Sequence, residues 1–170
     1  MSHTTPEHDQ STPDHAAQRP VTRHDEAAWQ HILAALRQAG QHAGAGAADW
    51  WAQDTVGGRA TGNTAATARA VLAGIDDGDP AVLDALPACD LSGQWADTPT
   101  EADLYASLYT ESAPPDAPGW DDLDAPRREE VIEAYRDGFD TAAGERVAEH
   151  CRTALPDSDA GARPRRRPVA

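Results

Sequence analysis

Residues 124–155 read DAPRREEVIEAYRDGFDTAAGERVAEHCRTAL and carry the longest helical pattern in the chain. Val131, Ile132, Tyr135, Phe139, Ala142, Val147, Cys151 and Leu155 fall on one face at helical spacing. A helix is therefore expected from about Asp124 to about Leu155. Gly138 and Gly144 weaken it by up to about 1 kcal/mol each relative to alanine. They mark Asp137-Gly138 as the place for a kink or break.

Outward from this segment the chain keeps the same character. Residues 111–119, ESAPPDAPG, form a proline-rich loop. Before it, Thr98-Pro99-Thr100-Glu101 reads as a capping box, with Thr98 as cap, Pro99 at the first position and Glu101 at the third. The helix after this box presents Leu104, Tyr105, Leu108 and Tyr109. Residues 88–97 look irregular, with Leu91 and Trp95 packing down as an ordered loop. Asp79-Pro80 reads as a cap and first residue of a short helix over 80–86. Ala68, Val71, Leu72 and Ile75 make the stripe of another helix, capped at Asn63 or Thr64.

Residues 21–79 contain no proline, so the stretch is free to be helical. Thr22, Asp25 and Glu26 resemble a cap with acids in the first turn. Trp29, Ile32, Leu33 and Leu36 share one face, and Gly40 reads as a stop. Gly40, Gly44 and Gly46 loosen the chain around residues 40–46, and helix is expected to resume near Ala47 and end at Gly57-Gly58. No alternating β-pattern is present. The fold class is therefore all-α: an irregular bundle of five or six helices over residues 21–155. A disordered polar leader (1–20) and a disordered basic tail (156–170) flank it.

Composition sets limits on that bundle. The chain has 170 residues and a formal net charge of −15. All 14 of its basic residues are arginine, which points to a high-GC coding bias. Leu, Ile, Val and Phe together make 21 of 170 residues, below the roughly 20% typical of folded chains. Five Trp and three Tyr, all between Trp29 and Tyr135, compensate. The predicted core is thin and aromatic. No run reaches the roughly 20 apolar residues a membrane helix needs, and no charged-then-apolar leader is present. These features favour the cytoplasm and no membrane partner. Cys89 and Cys151 lack metal or redox spacing and are expected to be reduced thiols. The acidic body disfavours direct nucleic-acid binding, which rests on basic contacts to phosphate. The segment RPRRRP near the C-terminus carries four of the arginines as its only basic cluster and suits an acidic partner or the chain's own surface.

Motifs with chemistry are scarce. Residues 57–64, GGRATGNT, have phosphate-loop spacing but Asn63 where lysine belongs, and no preceding strand. A glycine break between helices explains them better. Glu129, Glu130 and Glu133 suggest the carboxylate helices of all-α metal-dependent hydrolases, but the second acidic pair such sites need is not found in order. His150 and Cys151 diverge on a helix and do not make a thiol–base pair. His3, His8 and His15 read as a solvated polar tail. No cofactor or metal site is implied.

The stretches WWAQDTVGGRATGNTAATA (50–68) and DLSGQWAD (90–97) resemble a set of short acidic proteins of high-GC actinobacteria. The resemblance covers roughly residues 47–155 and carries over no functional residue. It implies a bacterial cytoplasmic protein, an accessory or mobile-element gene product.

The leading expectation is a non-enzymatic protein-interaction or regulatory module that binds another protein or itself. Its contact region is expected at Trp51, Asp54, Arg59 and Trp95, large or charged residues near glycine-rich and irregular segments. Two alternatives are an acidic decoy imitating nucleic acid and a small metal-dependent hydrolase using Glu130 and Glu133.

Overall fold

A computed structural model gives the structure of residues 23–57, 64–89, 91 and 100–155. Among them are five α-helices: α1 (Arg23–Thr55), α2 (Thr64–Asp77), α3 (Pro80–Leu83), α4 (Glu101–Ser112) and α5 (Ala125–Thr153). A 3-10 turn at Trp120–Asp122 precedes α5. No strand occurs among the described residues, so the fold is all-α. The leader over 1–20, with its histidines, and the tail over 156–170 lie outside the described residues.

Two of these helices dominate. α1 runs 33 residues and α5 runs 29, or about 50 and 43 Å at 1.5 Å per residue. They lie side by side and parallel. Glu26 meets Arg127 at 3.3 Å, Arg37 meets Asp137 at 2.9 Å, and Asp49 meets Arg146 at 2.7 Å. Both partners rise together along the pair.

Neither helix breaks where glycine suggests it. α1 passes through Gly40, Gly44 and Gly46 without interruption, and α5 passes through Gly138. The reason is tertiary. A Cβ on Gly40 would lie 2.1 Å from the Tyr135 carbonyl oxygen, and one on Gly44 would lie 2.2 Å from that of Phe139. From the other side, a Cβ on Gly138 would lie 2.1 Å from the Arg37 carbonyl oxygen. The glycines let two backbones approach as no other residue would allow. That gain in packing outweighs their local cost of about 1 kcal/mol each.

The buried stripe on each helix advances by four residues. On α1 it is Ile32, Leu36, Gly40, Gly44, Ala48, Ala52 and Val56; on α5 it is Val131, Tyr135, Phe139, Ala143, Val147 and Cys151. Four residues overshoot the 3.6-residue turn by about 40°, so each stripe winds slowly around its helix.

The rest of the chain closes this pair. At its C-terminal end α2 packs on it, with Ala68, Val71, Leu72 and Ile75 meeting Val147 and Cys151. α2 turns onto α3 through Gly74, which sits against the Val82 side chain. Asp79 caps α3 by accepting from the Ala81 N–H at 3.0 Å. α4 then runs back, antiparallel to the pair. Glu101 and Tyr105 meet Arg136, and Tyr109 reaches the cluster of Trp29, Leu36 and Val131 at the N-terminal end. The α4 capping box is Thr100 with Asp103, two residues later than expected. Asp124 caps α5, accepting from the Arg127 N–H at 3.0 Å. Leu123 and the Trp120 ring fill the remaining corner, with Trp120 tilted against Tyr109 at 5.8 Å. The core is thus stacked in three clusters along one helix pair, two with buried aromatic rings and a third built of Ala48, Val56, Ala68, Val147 and Cys151.

Candidate interaction surface

Each end of the parallel pair is tied electrostatically. At the N-terminal end the Trp29 indole N–H donates to the Glu130 carboxylate, and the Arg127 guanidinium lies over the Trp29 ring at 4.4 Å. Hydrogen bonds from Gln30 and then Arg127 hold the Glu26 carboxyl below its ordinary value. At the C-terminal end Asp49 Oδ1 accepts from Arg146 Nε at 2.7 Å and meets His150 Nε2 at 2.6 Å. Arg146 first, and then His150, hold the Asp49 carboxyl below its ordinary value.

Asp49, Arg146 and His150 border an open groove of about 550 Å³ with Ala52, Val56 and Ala154. A histidine aligned by a carboxylate is half of a general-base arrangement, which also needs a nucleophile within reach. Cys151 turns into the core and is fully buried, and burial pushes its thiol up. The Thr153 hydroxyl in the groove donates to the Glu149 carbonyl at 3.0 Å. In this geometry the trio acts as a tie between α1 and α5. Cys89 and Cys151 are thiols and form no disulfide.

The glutamates considered for metal chemistry sit in a different setting. Glu130 is engaged by Trp29 and, at 3.4 Å, by Arg127. Glu133 is exposed beside a shallow cleft of about 340 Å³. The facing helix α1 lines that cleft with Leu33 and Arg37. An arginine stands where a metal site would need a second acidic pair. Among the described residues, no group of three or more His, Cys, Asp or Glu is placed to hold an ion.

Of the four residues expected at a contact surface, Arg59 and Trp95 lie outside the described residues, as do residues 58–63 of the phosphate-loop-like segment. Trp51 is half-buried, and its indole N–H donates to the Ala85 carbonyl at 3.1 Å. It packs with Val71, Leu72, Ile75 and Leu86 against the third cluster. Asp54 is exposed. Among the described residues the ring most open to solvent is the neighbour, Trp50, at 73%. Neither ring of the Trp50-Trp51 pair is in the core: Trp51 lies at the boundary and Trp50 in solvent. Asp54 comes four residues after Trp50 and shares its face of α1.

The outward face of α1 has a second property that sequence reading passed over. From Ala27 to Ala48 there is no acidic residue, a run of 22 in a chain that holds 29. Its exposed positions are Ala27, Ala28, Gln30, His31, Ala34, Arg37, Gln38, Gln41, His42 and Gly46, leading to Trp50. Arg37, the sole arginine of the run, is paired with Asp137. Counting charge along sequence windows would have revealed this strip; whole-chain composition hid it.

Among the described residues, no helix is long and apolar enough to cross a membrane. The chain matches no family model, and no curated protein or solved structure is significantly similar to it.

Proposed function

We propose that this chain is a non-enzymatic protein-interaction module of a bacterial cytoplasm, docking through the outward face of α1 with Trp50 as its anchor. One observation carries this reading. Trp50 is 73% exposed on the longest helix, whereas Trp29 at the same helix's other end is 5% exposed. Tryptophan is a frequent anchor of interfaces, because a large rigid ring can be desolvated at little entropic cost. Here the ring projects from a helix braced along its length by α5, so its position is fixed before any partner arrives.

The test is a Trp50→Ala variant compared with wild type in affinity capture from cells that encode the protein. Wild type is expected to retain a defined set of partners that the variant loses, at about thirtyfold weaker binding or more. Far-UV circular dichroism should be unchanged, because the ring supports no packing. A folded variant that keeps every partner would refute this reading.

A second reading has its own observation. Among the described residues acidic side chains outnumber arginines 22 to 8. Arg37, Arg127, Arg136 and Arg146 are all tied to carboxylates of the same molecule. The net negative field therefore faces outward, as a decoy for a basic nucleic-acid-binding protein requires. Such binding weakens steeply with added salt.

A further inference from the structure

The acid-free strip on α1 narrows the choice of occupant. We infer that the occupant is a second copy of this chain, packed antiparallel on α1 about a two-fold axis. This rests on the proposal that the outward face of α1 is the contact surface.

Charge supplies the first argument. Two bodies of net charge −15 repel each other wherever carboxylates meet. The run from Ala27 to Ala48 contains none, and its one arginine is paired within the molecule. At the far end of the strip, the Asp49 carboxylate is paired with Arg146 at 2.7 Å and lies 2.6 Å from the His150 ring nitrogen. No other described helix offers a comparable length without acids. A basic partner would gain nothing from this strip, and an acidic one would be repelled by the rest of the molecule unless it brought a matching neutral strip. A second copy brings one by construction.

Shape supplies the second. In an antiparallel pair centred between Gln38 and Ala39, Trp50 of one copy falls against Ala27 of the other. In the same register His31 falls against Gly46, and His42 against Ala34 and Ala35. Trp50, His31 and His42 thus each meet a small residue, and the two-fold axis repeats each match. The strip from Ala27 to Trp50 is about 35 Å long and about 10 Å wide. That is about 350 Å² per copy, less than half of a standard interface, so a weak, reversible dimer is expected. It would cover Trp50, the most exposed aromatic ring among the described residues.

The experiment is sedimentation equilibrium of the full chain, from about 1 to about 300 µM. Weight-average mass is expected to rise from 18.0 kDa toward twice that value. Association should tighten when salt is raised from about 50 to about 500 mM, because screening relieves the repulsion of two acidic bodies. Gly46→Glu places a carboxylate in the strip where a Cβ meets nothing within 4 Å, so the fold is untouched. It should weaken the dimer at least about thirtyfold. Gly144→Glu on α5, equally open, should leave the dimer within about twofold.

The orientation has its own readout. In a Cys89→Ser background, Gln38→Cys should cross-link to its own copy. Ala27→Cys should not, since the two positions 27 are about 34 Å apart in the antiparallel pair. Cross-linking at both positions overturns the arrangement. A wild-type chain that stays at 18.0 kDa throughout overturns the dimer itself, as does equal weakening by the two glutamates. If the chain is monomeric yet Trp50→Ala still sheds a different protein, this inference falls and the interaction module stands. If Trp50→Ala changes nothing anywhere, both fall.

Discussion

The inner and outer faces of α1 both carry alanine and glycine, and these small residues differ in what lies beyond the Cα. Inside, Gly40 and Gly44 have backbone of α5 within 2.2 Å of where a Cβ would stand. Outside, Gly46 has nothing within 4 Å. On α5 the contrast repeats between Gly138 and Gly144. The same residue that makes the helix pair possible on one face merely weakens the helix on the other. A glycine's meaning is therefore set by its neighbour across the interface, and composition alone does not supply it.

The largest expected effect tests the inner face. Gly40→Ala and Gly138→Ala each force the two backbones apart. Each should cost about 3 kcal/mol, the upper end for overpacking, read as a drop in chemical-denaturation midpoint. If Gly40→Ala proves as mild as a surface change, the close approach of α1 and α5 is wrong. A smaller effect of opposite sign tests the outer face. Gly46→Ala and Gly144→Ala should each stabilise the fold by about 0.5–1 kcal/mol, by raising helix propensity and restricting the unfolded chain.

The smallest effect distinguishes packing from the ionic ties at the pair's ends. The Asp49 and Glu26 carboxyls are held below their ordinary values. Their contribution is fully present above the unfolded carboxyl value near pH 4 and is lost as pH falls through the lower folded value. Melting temperature should therefore decline on acidification below about pH 4. In Asp49→Asn the decline should be shallower, because one of the linked protonations is gone. Identical acid limbs for the two proteins would show that Asp49 contributes nothing. Glu26 is exposed and Asp49 half-exposed, so solvent screens both and this loss should stay well below that of Gly40→Ala.

Much of this fold can be read from the sequence, and the failures have physical causes. Helical periodicity at Trp29–Leu36 and from Val131 to Cys151 identifies the two long helices, because large side chains at 3.6-residue spacing need a buried face. Proline and aspartate place the start of α3 correctly, since a cap acts locally. What escapes is the middle of α1. Gly40, Gly44 and Ala48 have no large side chain to register as apolar, and their cost is local while their compensation comes from a helix about 100 residues away. A search for small residues at four-residue spacing would have found the stripe. The division of labour between Trp50 and Trp51 escapes for a related reason. It depends on where Ala85 and Ile75 come to rest, which no local pattern in α1 reveals. Size and a place beside a glycine-rich segment make Trp51 a contact candidate in the sequence, and the structure gives it a hydrogen bond to Ala85 and apolar neighbours.

The parallel arrangement of α1 and α5 has a consequence in time. Antiparallel neighbours can meet as soon as a short turn is made, but these two are joined by everything between Val56 and Asp124. On a ribosome adding about 5–20 residues per second, α1 leaves the tunnel several seconds or more before the whole of its partner exists. During that interval the glycines of its inner stripe lack the α5 backbone they pack against. Isolated helices gain little from propensity, and one this rich in glycine gains less. The bundle therefore forms late and all together, with loop closure across roughly 100 residues as its slow step. Released chains that end before Val147 would present that stripe to the folding machinery of the cell, whereas released chains carried through Thr153 would hide it.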